Sequence, residues 1–217
     1  MCKRFSFKTT EEKLEQELGI PSTNNMRWSY NVAPTQHTYV ILNDEPYLLQ
    51  YITWGLIPSA SRDGKNEGKL INARKEGIGV SSSFRIPIRS QRCLVLADSF
   101  YCWHKEGINE TPYRVELEDQ SIMMMAGVWD VWYNGEYAVK SFSIITKPTT
   151  GKLKEIIPRM PVIIINKEVQ SNWLEDIALS KVQSIIDAKD GGNYKYYKIS
   201  TELQSIQKND ASLHKPA

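Results

Sequence analysis

The chain has 217 residues, 41% of them hydrophobic and 24% charged, ordinary proportions for a globular fold with one core or two very small ones. No apolar run approaches the ~18 residues a membrane helix needs, and the start, Met1-Cys2-Lys3-Arg4, lacks the apolar stretch of a signal peptide. Three cysteines, an odd number, argue against a disulfide scaffold and for reduced thiols in a cytoplasmic or nuclear setting, while a net charge of +2 neither identifies nor excludes a nucleic-acid binder.

In chain order, Thr9-x-x-Glu12 has the pattern of a capping box, Leu14 and Leu18 sit four apart, and Gly19 followed by Pro21 supplies a stop. These features predict a short amphipathic helix near 10–18. Runs of apolar and strand-forming residues at 39–42, 47–51 and 93–96 predict short strands. Residues 58–69, rich in Pro, Ser, Gly, Lys and Asn, read as an exposed loop. Further strands are predicted at 122–125, 141–145 and 162–165, with Asn134-Gly135 as a two-residue hairpin turn between 132–133 and 137–139. Two helices are predicted at 167–174 and 179–188. In the second, Leu179, Val182, Ile185 and Ile186 share a face, and Gly191-Gly192 ends it. The last ten residues or so are polar and read as a loose tail. The fold class is α+β, one domain over 1–217, mostly antiparallel sheet with a few helices.

Cys2 is the first residue with chemical promise. If the initiator methionine is removed, an α-amine of ordinary pKa about 7.7–8.0 stands beside a thiol of about 8.5. That pair suits nucleophilic attack by sulfur, as in N-terminal-nucleophile hydrolases. It also suits condensation with an aldehyde, in which the amine forms an imine and sulfur closes a thiazolidine. The plainer alternative is an arbitrary second residue. Cys102 and His104, two apart, would share one side of a strand. They could act as a Cys–His pair or, with Cys93, as zinc ligands. A core cysteine beside a surface histidine is the better reading, since no second ligand pair completes a zinc signature. His37 and His214 have no local partner. Lys3 with Arg4, Arg74 with Lys75, and the group Arg85, Arg89 and Arg92 could hold phosphates, and Trp54 or Phe84 could stack on a base; a solvated charged surface is the simpler explanation.

Taken together, the segments resemble the SOS response-associated peptidase (SRAP) family. Met1-Cys2-Lys3-Arg4-Phe5 is similar to its Met-Cys-Gly-Arg start. Tyr30-Asn31-Val32-Ala33-Pro34, Trp54-Gly55-Leu56-Ile57-Pro58, Ile71-Asn72-Ala73-Arg74 and Ser83-Phe84-Arg85 resemble later motifs. So do the stretch from Arg92 to Tyr101, Ala126-Gly127-Val128-Trp129-Asp130, Phe142-Ser143-Ile144-Ile145-Thr146, Arg159-Met160-Pro161-Val162 and Asn209-Asp210. The resemblance implies a twisted, partly barrel-like β fold with flanking helices. It implies a sensor of abasic sites in single-stranded DNA that traps the sugar aldehyde on Cys2 as a thiazolidine. Asn72 would orient the reacting groups, Arg4, Arg74 and Arg85 would hold flanking phosphates, and Trp54 would pack near the bound strand. The family name also carries a peptidase activity, linked to removal of the initiator methionine. A monomer with no membrane association and no bound cofactor is expected, acting in the cytoplasm at the nucleoid.

Two departures stand against these matches. Where the family has Phe-Tyr-Glu-Trp, this chain has Cys102 in place of the proton-transferring Glu. Where the family has a His two residues before the Arg of Arg-Met-Pro, this chain has Ile157. Positioned acid/base groups contribute typically ~10²–10⁴-fold, so crosslinking is expected to be slow, and hydrolysis or reversal slower still. Asp98, Glu106 and His104 are neighbours that could substitute. Lys3 replaces the family's Gly and brings charge beside Cys2. The alternative is a non-catalytic SRAP-fold protein that binds DNA or a partner.

Overall fold

The structure is a computed structural model that describes residues 2–20, 26–65, 68–189 and 191–217. Its strands are β1 (Arg4–Phe7), β2 (Ser29–Val32), β3 (His37–Leu42), β4 (Leu49–Trp54), β5 (Asn72–Arg74), β6 (Arg92–Ala97), β7 (Ser99–Glu106), β8 (Asn109–Leu117), β9 (Met123–Tyr133), β10 (Ala138–Pro148), β11 (Arg159–Pro161) and β12 (Tyr194–Lys198). Its helices are α1 (Glu11–Leu18), α2 (Pro87–Ser90), α3 (Lys167–Leu174) and α4 (Leu179–Asp187).

The strands form two sheets. One is antiparallel throughout, in the order β12-β8-β7-β1-β2. In the other, β10, β4, β3, β6 and β9 close into a ring, because β10 pairs with β4 in parallel on one side and with β9 antiparallel on the other. Closure removes open edges within the ring. The architecture is therefore the expected α+β, mostly antiparallel and partly barrel-like.

Alternation along the ring strands sorts side chains into two cores. Val40, Ile52, Val95, Met125 and Phe142 meet inside the ring, together with Phe5, Phe100 and Val115 of the other sheet. The intervening residues Ile41, Leu94, Leu96, Met124 and Val128 lie under Leu14, Trp173 and Val182 of the helices. Being covered on both faces, β6 is buried at all six positions. Gly127 on β9 is needed for this packing, since a Cβ there would lie 2.7 Å from Cys93 Sγ and 2.9 Å from the Ser143 carbonyl oxygen.

The first helix is capped one residue later than Thr9 predicts. The Thr10 hydroxyl accepts from Lys13 N at 3.2 Å, while Thr9 itself is buried. At the other end, Gly19 takes a left-handed conformation (φ 65°) and its N–H donates to Glu15 O. Pro21 lies outside the described residues. The hairpin at Asn134-Gly135 has a longer loop than predicted: Tyr133 pairs with Ala138, and Asn134 Oδ1 accepts from the N–H groups of Glu136 and Tyr137. The apolar run 162–165 is not a regular strand. Val162 and Ile164 donate to Ile145 and Met124, threading the run between β10 and β9 after β11 has ended. The tail is not loose. Leu213 is fully buried with Tyr101, Ile199 and Leu203, and Asn209 Oδ1 accepts from Tyr30 N at 2.7 Å. Asn31 Nδ2 donates to the carbonyls of Leu203, Ser205 and Lys208.

Candidate active site at the start of the first strand

Cys2 immediately precedes β1, whose register against β7 pairs Arg4 with Tyr101 and Phe5 with Phe100. It is 2% exposed, and its Sγ lies 3.5 Å from the Arg4 carbonyl oxygen, which it faces as a donor. Burial pushes the thiol up to about 12, so the resting sulfur is protonated near neutral pH. Nucleophilic sulfur is the thiolate, so the site needs either a proton acceptor or an electrophile that the thiol can add to with proton loss.

Asn72 opens β5, which pairs in parallel with β10 through Ile144↔Asn72 and Thr146↔Arg74. Strand alternation sends Ala73 into the core and leaves Asn72 and Arg74 on the same outer face. The Asn72 amide Nδ2 donates to the Cys2 carbonyl oxygen at 2.7 Å. Its Oδ1 is buried and has no hydrogen-bond partner among the described residues. A buried acceptor without a donor is costly, and this one sits beside the residue whose amine and thiol would supply donors.

Trp54 holds the two segments together. It is 0% exposed, its Nε1 donates to the Ile71 carbonyl at 2.9 Å, and its ring meets Phe5 edge-on at 5.0 Å. No face of the Trp54 ring reaches solvent, so the ring is closed to stacking on a base. Phe84, at 7% exposure, offers little more for base stacking.

Cys102, from β7, and Ile157, from the turn before β11, are both buried and belong to the same apolar cluster as Cys2. Cys102 is pushed up to about 12, first by burial and further by the nearby Cys2 thiol. Neither residue offers a proton-transfer group at neutral pH. Asp98 is no substitute. It lies toward the far end of β1, where its carboxylate accepts from Ser6 Oγ, Lys8 N and Arg114 Nη2.

His104 is placed differently. Its Nδ1 is 3.0 Å from the carbonyl oxygen of Ile156, next to Ile157, and its Nε2 is 3.2 Å from Glu106 Oε1. Cys93 lies on β6, in the other sheet from the Cys102–His104 strand, and among the described residues no group of three His, Cys, Asp or Glu is arranged to hold a metal ion.

Two clefts border Lys3. One, of about 400 Å³, is lined by Lys3, Lys69, Asn72, Arg74, Ser81 and Phe84 among others. The second, of about 370 Å³, is lined by Lys3, His104, Lys105, Lys154, Ile156 and Ile157 among others. Lys3, Lys69, Arg74, Lys105 and Lys154 are exposed at these margins. Lys69, Lys105 and Lys154 escaped the sequence reading because they come from separate loops and strands, and nothing local marks them as neighbours.

The predicted arginines separate into three kinds. Arg74 and Arg85 are exposed, with Arg85 one residue beyond Phe84 of the first cleft. Arg4 is half-buried, its Nη1 donating to Lys3 O at 3.3 Å, and burial lowers its pKa. Arg92 is fully buried and holds no phosphate. It donates to the carbonyls of Trp173, Ile88, Arg89 and Glu175, fastening β6 to α2 and α3. The motif residue Arg159 grips Glu76 with both Nη atoms at 2.9 Å, tying the start of β11 to the segment after β5.

The chain matches the family described as SOS response associated peptidase (SRAP) over residues 1–206. It is 32% identical over 221 aligned residues to the abasic site processing protein YoaM of Bacillus subtilis, covering 98% of this chain and 97% of YoaM. It is 27% identical to the abasic site processing protein HMCES of Mus musculus, over 87% of this chain and 65% of HMCES. A crystal structure of a protein from Bacteroides thetaiotaomicron superposes with a TM-score of 0.86 at 27% identity, over the full length of both chains. With the matched span running from Cys2 through Asn72, Cys102 and Ile157, the chain belongs to the SRAP family.

Proposed function

We propose that this protein, as one SRAP domain, binds single-stranded DNA at an abasic site and captures it covalently through Cys2. The observation that carries this reading is the hydrogen bond from Asn72 to the Cys2 carbonyl. It fixes the start of the chain between two clefts with exposed cations at their margins. Names of relatives that process abasic sites support the same reading. Met1, whose removal would free the Cys2 amine, lies outside the described residues.

The chemistry follows from the groups present. The open abasic sugar carries an aldehyde. The free amine of Cys2 adds to it, water leaves, and sulfur closes the ring onto the same carbon. Asn72 Oδ1, buried and without a donor among the described residues, accepts from the amine or thiol and orients it. Arg4, Arg74 and Arg85 hold phosphates on either side. Trp54 acts through Phe5 and Ile71, keeping β1 and β5 in place. The protein works as a monomer in the cytoplasm, at the nucleoid, and needs no cofactor, since the DNA supplies the electrophile. Peptidase activity would be confined to removal of its own Met1.

A second reading, a DNA-binding protein without covalent chemistry, is favoured by Cys102 and Ile157. Denaturing gel electrophoresis separates the two. Covalent capture gives a detergent-resistant band with abasic single-stranded DNA, and none when the aldehyde has first been reduced to an alcohol. Equal binding to both DNAs with no resistant band would leave only the second reading.

A further inference from the structure

Resting on the reading of Cys2 as an aldehyde trap, we infer that His104 carries the proton transfers of this reaction, replacing both groups that positions 102 and 157 lack. His104 stands two residues beyond Cys102 on β7, so both side chains leave the same face of the strand. Cys102 is in the cluster with Cys2, and His104 lines the cleft that Lys3 and Ile157 also line. The imidazole thus borders the same cleft as Lys3, the neighbour of Cys2 in the chain, and as Ile157, one of the two replaced positions.

The ring is oriented from three sides. Its Nδ1 donates to the Ile156 carbonyl at 3.0 Å, since a carbonyl oxygen only accepts. Its Nε2 faces Glu106 Oε1 at 3.2 Å, and its plane meets the Tyr113 ring edge-on at 6.2 Å. Both ring nitrogens thus face oxygen acceptors. The Glu106 side chain is 71% exposed and that of His104 22%, so the carboxylate can swing aside and leave Nε2 open to the cleft.

One proton, moved twice, suffices. The Cys2 amine adds to the aldehyde carbon, giving a carbinolamine. His104 Nε2–H protonates its hydroxyl, the C–O bond breaks, and water leaves an iminium. Cys2 sulfur then forms the C–S bond, and its proton passes to the neutral imidazole. Aldehyde and aminothiol become thiazolidine and water, and His104 ends as it began. Other charged groups facing it are Lys3 before β1, Lys105 on β7, Glu110 on β8, and Lys154 and Glu155 from the segment before β11.

The experiment measures the rate of crosslinking to a single-stranded oligonucleotide with one abasic site, with DNA affinity read in parallel. His104→Gln keeps an amide N–H for the Ile156 carbonyl but cannot shuttle a proton. It should crosslink at least ~100-fold more slowly with unchanged affinity, and adding Ile157→His should restore much of the rate. Rescue by Ile157→His separates a lost proton shuttle from a lost contact, because the second histidine restores an acid/base group and not the bond to the Ile156 carbonyl. An unchanged rate in His104→Gln, or no recovery on adding Ile157→His, overturns the role of His104 and leaves the Cys2 trap standing. No adduct from the untouched protein with its Met1 removed overturns both.

Discussion

The side-chain amide of Asn72 donates to the main-chain carbonyl of Cys2 at 2.7 Å, joining β5 to the segment that leads into β1. This bond fixes where the Cys2 amine and thiol can point. Asn72→Ala should slow crosslinking at least tenfold, because the chain start loses its anchor and the reacting groups lose an acceptor. The loss of stability should be only about 1 kcal/mol, the net worth of one such bond. Crosslinking rates and urea unfolding on the same preparation check this. A variant that unfolds easily yet crosslinks normally would contradict it.

Cys102 and Ile157 are packed in an apolar cluster. A lone Cys102→Glu buries a carboxylate with no partner and should destabilise by several kcal/mol. Cys102→Glu together with Ile157→His supplies a partner and two acid/base groups. The double variant should recover stability relative to the single one and crosslink faster than the parent. Equal rates in parent and double variant would mean that the pocket around Cys2 no longer accepts those groups.

The exposed cations at the first cleft should make DNA binding depend on salt. Arg74→Ala should weaken binding to single strands of any sequence and reduce the slope of log affinity against log salt by about 0.7 if the side chain neutralises one phosphate. Titrations at several salt concentrations check this. An unaltered slope places Arg74 off the DNA path.

Stability should fall on both sides of neutrality. Cys2, Cys93 and Cys102 are all raised by burial, Cys2 and Cys102 to about 12. Unfolded thiols release protons from about 8.5 while the folded ones keep theirs, so stability drops as pH rises above that value, by about 1–2 kcal/mol per thiol at pH 10. His214 has the mirror behaviour. Burial lowers it to about 4 despite the opposing pull of Asp98. The unfolded histidine gains a proton below about 6.5 and the folded one does not, so stability is lost as pH falls from there toward 4. Denaturant midpoints across pH check both arms. Cys93→Ala should be less stable at neutral pH yet lose less on going to pH 10.

The sheet class, the first helix and the two late helices were legible because each depends on local signals: caps, spacing and turn residues. Thr9 has Glu12 at capping-box spacing and Thr10 has only Lys13, yet Thr9 is buried and the cap falls to Thr10, whose hydroxyl accepts from Lys13 N. The tail read as loose because its polar residues hide one buried leucine, Leu213, and an asparagine, Asn209, that binds the β2 backbone. Within the site, Cys2 was legible from its position, and Asn72, Cys102 and Ile157 from motif resemblance. Base stacking by Trp54 and phosphate binding by Arg92 fail for one reason. Aromatic and cationic side chains advertise ligand binding in a sequence, while here the first fills a closed core and the second satisfies carbonyls between elements. The placement of His104 against Ile156 depends on long-range packing between β7 and the turn before β11, which no spacing rule encodes.

The most direct test is the intact mass of the untagged protein before and after incubation with single-stranded DNA containing one abasic site. The account predicts a protein lacking Met1 that gains the mass of the DNA less one water, with no gain in Cys2→Ala. A protein lacking Met1 that shows no gain, or an adduct of the same mass in Cys2→Ala, would contradict it.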